Sequence, residues 1–96
     1  MPRPESPALL PNYPNPFNGG TAIPVDVPRP VHARLSVLDV LGVETVRIHT
    51  GKVRAGRTEF HWNGNGPGGR PAASGVYFAV LEAEGRRETV KMLLLR

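Results

Sequence analysis

His32, His49 and His61 are the chain's candidate general bases, with Asp26 and Asp39 as candidate carboxylates. Acid–base catalysis needs such groups to converge within hydrogen-bond reach of one reacting atom. Each histidine instead falls on the polar phase of an alternating run, the phase that faces solvent on a half-buried strand. Their spacings of 17 and 12 residues match no metal motif of closely spaced histidines. Asp39 stands just before Val40-Leu41-Gly42, where it reads as a turn residue bonding its own backbone. Ser36 and Ser74 lie in no G-x-S-x-G elbow. With no cysteine, the chain has no disulfide, thiolate metal site or sulfur nucleophile. The cluster Gly64-Asn65-Gly66-Pro67-Gly68-Gly69 looks like a phosphate loop. Such a loop must lead from a strand into a helix N-terminus, and no helical periodicity follows. The carboxylates are too few to point to a calcium site. These residues predict no catalytic site, no metal and no cofactor.

The elements around them read as strands. Ile23, Val25 and Val27 lie two apart, and Pro24 between them predicts an edge strand or a bulge. Ala33, Leu35 and Val37 form a second run, joined through Gly42 to a third at Val46 and Ile48, which makes a hairpin. Thr50–Arg57 reads as a connection, followed by Thr58, Phe60 and Trp62 alternating with Glu59 and His61. Asn63–Pro71 is the most flexible-looking stretch. Val76–Leu81 is apolar on both faces and predicts a central strand. A tight turn at Glu84-Gly85 leads to Val90, Met92 and Leu94 in a last strand. Six or seven strands separated by turn signals predict an all-β sandwich, with no internal repeat.

Length allows one domain. A chain of 96 residues buries roughly 60–70% of the surface its unfolded form exposes. Residues 1–8 carry three prolines and read as a linker. Within Leu9–Gly20, Tyr13 and Phe17 sit in irregular chain, and at least one is expected to plug an end of the core. The net charge of +4 is scattered, with Arg86, Arg87, Lys91 and Arg96 as the nearest approach to a cluster. The aromatics fall in core-building strands, so no nucleic-acid surface is expected. No run reaches the length of a membrane span. Met1–Pro7 lacks the apolar core of a secretory signal, so any export signal is expected elsewhere.

Five motifs, in order over residues 9–96, carry a resemblance. Asn12-Tyr13-Pro14-Asn15-Pro16-Phe17-Asn18 resembles the N-Y-P-N-P-F-N opening of the C-terminal sorting domains (type A) of the type IX secretion system. Leu35–Gly42 is similar to that family's L-x-V-Y-D-x-x-G element, with Leu38 where Tyr is usual. Ala55-Gly56 with Trp62-Asn63-Gly64 resembles A-G…W-D-G, with Asn63 in place of Asp. Gly69–Phe78, including Gly75 and Tyr77, resembles G-x-P-V-A-S-G-V-Y-F, and Lys91–Arg96 resembles a K-M-x-L-x-[KR] ending. The Ig-like domain of the flagellar hook-capping protein is related and shares the G-V-Y-F region.

The resemblance implies an Ig-like β-sandwich of about seven antiparallel strands. It implies a non-catalytic signal at the C-terminus of a secreted cargo protein. Its partners would be the upstream cargo domain, an outer-membrane translocon and a sortase-like peptidase that removes it. Its location would be secreted or cell-surface, reached through the periplasm. Lys91, Met92, Leu94 and Arg96 are then the expected recognition residues, because an end strand offers backbone groups, apolar side chains and a carboxylate. The alternatives are an Ig-like accessory module for carbohydrate or protein contact in a larger secreted enzyme, and a scaffold domain of an extracellular assembly.

Overall fold

The two-residue period of Ile23, Val25 and Val27 places all three side chains in the core. The same holds for Ala33, Leu35 and Val37, which face them from the opposite layer. A computed structural model describes residues 5–96 as two packed antiparallel sheets. The strands are β1 (Ala8–Leu9), β2 (Thr21–Val27), β3 (Val31–Leu38), β4 (Glu44–Val53), β5 (Gly56–Trp62), β6 (Gly75–Ala83) and β7 (Arg86–Leu94). One sheet has the order β1-β2-β5 and the other β4-β3-β6-β7. The architecture is the expected seven-stranded Ig-like sandwich. No helix among the described residues is long and apolar enough to cross a membrane.

The hairpin turn follows its predicted chemistry. The Asp39 carboxylate accepts hydrogen bonds from the Leu41 and Val43 amides at 2.9 and 3.0 Å. Gly42 adopts φ +80°, a conformation that costs glycine little and other residues more. β6 is central between β3 and β7, as its two apolar faces require. On the outer face beside it, the Arg34 guanidinium donates two hydrogen bonds to Glu82 and holds that carboxyl below its usual range. Both groups are exposed, so the pair adds little to stability.

Four expectations need correction. β2 is the middle strand of its sheet, not an edge. Pro24 is tolerated because its backbone faces β1, which is only two residues long; its carbonyl accepts from Leu10 at 3.0 Å. The β5 side of the ladder is therefore served by Ile23 and Val25 and loses nothing. Second, β4 continues through Thr50 and Gly51 to Val53, so the connection to β5 is only Arg54–Ala55. Third, the linker reading stops short of Ala8, which pairs with Asp26 in β1, and Pro7 is already buried. Residues 1–4 of that segment lie outside the described residues. Fourth, Asn63–Pro71 is closed by its own bonds, Gly66 to Arg70 at 2.6 Å and Ala72 to Gly64 at 2.9 Å, around a short 3₁₀ turn at Pro67–Gly69.

Candidate functional site

The candidate catalytic groups sit on different elements. His32 is exposed on β3, while His49 and His61 lie on β4 and β5. Asp26 is in β2 and Asp39 is in the hairpin turn of the other sheet. Among the described residues, no three His, Asp or Glu side chains gather as a metal site would need.

The motifs behave differently: parts of all five meet at one pole of the sandwich, while Ala55-Gly56 lies at the opposite end of β5, where Gly56 pairs with Val27. Phe17 folds back into the core and packs edge-on against Trp62, with ring centroids 5.6 Å apart. Trp62 packs edge-on against Tyr77 at 5.0 Å. The polar ends of both rings are satisfied locally, Trp62 Nε1 by the Asn65 carbonyl at 2.9 Å and the Tyr77 hydroxyl by the Ala73 carbonyl at 2.6 Å. Gly75 opens β6 opposite Leu94. The turn carrying Gly42 projects from the same end, because Leu38 pairs with Phe78.

The opening motif is built onto the edge of β7. Phe17 and Leu94 form a parallel bridge, with Phe17 N–H bonded to the Leu93 carbonyl at 3.0 Å and Leu95 N–H to the Phe17 carbonyl at 2.8 Å. Asn15 extends this pairing with its side chain. Its Oδ1 accepts from Leu93 N–H at 2.9 Å, and its Nδ2 donates to the Lys91 carbonyl at 3.3 Å. The carboxamide thus substitutes for a peptide group where the chain turns away. Pro14 and Pro16, each preceded by a cis peptide bond, frame Asn15. Asn12 is buried and donates to Thr21 Oγ1 at 2.9 Å, and Thr21 in turn donates to the Pro14 carbonyl. Tyr13 is half exposed; its hydroxyl donates to Glu59, which raises the phenol pKa above its ordinary value.

The four expected recognition residues divide sharply. Met92 and Leu94 are fully buried, so the folded domain presents neither side chain to a receptor. Arg96 is exposed, but its guanidinium donates to the Gly64 and Ala72 carbonyls, and its amide to Ser74 Oγ. It acts as a strut under the glycine loop. Gly64 has φ +79°, a conformation that calls for glycine, and a Cβ there would press on the end of the Arg96 side chain at 3.0 Å from Nη2. Lys91 alone of the four projects a charged group without a hydrogen-bond or ion-pair partner among the described residues. Glu88, which drew no attention in the sequence, accepts from Leu9 N–H at 2.7 Å and ties β1 to β7 across the sheets.

A family model described as the FlgD Ig-like domain matches residues 12–86. No curated protein sequence matches the chain. Among solved structures, dimeric latent PorU from Porphyromonas gingivalis is similar with a TM-score of 0.72 at 16% identity, over 96% of this chain and 9% of that one. PorZ, described as an essential bacterial surface component of the type-IX secretion system of the same organism, gives 0.58 at 20% identity, over 93% and 12%. The alkylpurine DNA glycosylase AlkC of Pseudomonas fluorescens, bound to DNA containing an abasic site analog, gives 0.56 at 12% identity, over 95% and 30%. At such identities the likeness is one of fold. The chain spans about a tenth of PorU and PorZ and under a third of AlkC.

Proposed function

The chain belongs to the FlgD Ig-like domain family, and from that premise we propose that it is a non-catalytic sorting and attachment module for a secreted cargo protein. On this reading its partners are the upstream cargo domain, the outer-membrane translocon of type IX secretion and a sortase-like peptidase. It would act at the cell surface or in the medium, after passage through the periplasm. The observation that carries the reading is the convergence of parts of all five motifs, spread from Asn12 to Arg96 and with Ala55-Gly56 excepted, on a single pole. A translocon that handles many cargoes needs a common folded feature, and this pole is built from the domain's own residues. The likeness of fold to PorZ supports the secretion context.

A second reading is an Ig-like accessory module within a larger protein. The same fold within AlkC, a protein of a different kind, favours keeping it. One experiment separates the two. The 96-residue chain is fused behind a fluorescent reporter carrying an export signal, in a host with type IX machinery. The sorting reading expects the reporter at the surface or in the medium, and in the periplasm when the domain is omitted. Equal distribution with and without the domain would reject sorting and leave the accessory reading.

A further inference from the structure

The sandwich is sealed along one side and open along the other. On the β1/β7 side, Glu88 bonds Leu9, and the Asn15–Phe17 segment covers the edge from Leu93 to Leu95. On the other side, β4 and β5 belong to different sheets, and each has a strand partner on one flank only. Among the described residues, no backbone hydrogen bond joins them.

The open side has a defined hydrogen-bonding edge. Ala22 and Pro24 direct their backbone groups toward Tyr13 and Leu10, so Ile23 and Val25 direct theirs toward β5. Phe60 and Thr58, opposite them, therefore face β2. By alternation, the N–H and C=O groups of Glu59 and His61 point into the open seam. Unpaired edges of this kind are templates for an added strand.

Two recesses, of about 490 and 370 Å³, lie along this seam. Their floor is apolar, with Val46, Ile48 and Phe60 half-buried against the core and the His49 ring 5.0 Å from that of Phe60. Arg47 at the larger recess is paired with Glu44 at 3.2 Å, while the smaller recess has a cationic rim. Lys52 and Arg54 line it without an ion-pair partner among the described residues, and no carboxylate lines either recess.

We infer that the β4/β5 seam docks an extended acidic peptide segment of a partner protein. The segment adds as a strand along β5, places apolar side chains over Ile48 and Phe60, and brings carboxylates to Lys52 and Arg54. Strand addition supplies backbone affinity while the alternate side chains supply specificity. A second copy of the chain is a poor occupant, because it would bring the same cations against each other. This surface lies away from the β7 edge and does not depend on the sorting role.

The test is an NMR titration of the isotope-labelled 96-residue chain. The probe is a blocked peptide of alternating valine and aspartate, as long as β5; the control alternates valine and lysine. The aspartate peptide should give saturable shifts at the Glu59 and His61 amides and along β4, weakening as salt is added. The lysine peptide should give none. The double variant Lys52→Glu/Arg54→Glu should lose at least about tenfold in affinity with an unchanged thermal midpoint. Absence of saturable shifts with the aspartate peptide, shifts centred on β7, or equal binding by the double variant would each overturn the inference. So would self-association of the free chain through the same amides.

Discussion

Trp62→Ala is expected to destabilise the domain by about 3–5 kcal/mol, the range for a large aromatic leaving a core. Trp62 is 2% exposed and stands between Phe17 and Tyr77, so its loss opens a cavity that two rings cannot both refill. It also strips the Asn65 carbonyl of its donor and loosens the glycine loop. Stabilities of roughly 0.05–0.15 kcal/mol per residue place a domain of this size at roughly 5–14 kcal/mol. The variant should therefore be marginal. Urea unfolding monitored by circular dichroism reads the effect as a lower midpoint at similar slope. A loss under about 1 kcal/mol would show that the aromatic cluster does not organise this pole.

Removing Lys91–Arg96 should be more damaging still. The deletion takes away Met92 and Leu94, both fully buried, and each such side chain is worth about 2–5 kcal/mol when cut back to alanine. It also removes the half-ladder that serves Gly75 and Tyr77, and the strand against which Asn15 and Phe17 lie. The combined loss reaches the whole stability of the domain. The truncated chain should show no cooperative transition and little dispersion in its proton spectrum. A cooperative transition near the full-length midpoint would contradict the assignment of these residues to the core. The consequence for function is direct: a secretion defect caused by this truncation would report unfolding as well as loss of an address.

The strands and the turn at Asp39 were legible because their signals are local. A period of two over five residues identifies a buried face, and an aspartate before a glycine carries its own hydrogen-bond geometry. What was not legible depended on distant partners. Gly51 reads as a loop residue, yet it sits within the ladder opposite Ala33, and Val53 beyond it rejoins the core. Pro24 reads as an edge residue, and only the shortness of β1 explains its place in a middle strand. Asn15 lies far from Leu93 in sequence, and no local pattern announces that a side-chain amide will complete a strand edge. The alternation of Met92 and Leu94 did signal burial. It could not show that Arg96 would turn back onto Gly64 and Ala72, leaving Lys91 as the exposed charge of that strand.

That difference lets the proposed address be tested apart from the fold. Lys91 is exposed, and its side chain makes no hydrogen bond or ion pair among the described residues, so Lys91→Glu should leave the unfolding midpoint unchanged. The most direct measurement of the sorting role is the fraction of reporter reaching the surface or medium when the fused domain carries Lys91→Glu. The account predicts that the intact domain exports the reporter and that this folded variant leaves most of it in the periplasm. Full export of the variant, with the same folded domain, would contradict a sorting address centred on this charge at the β7 edge.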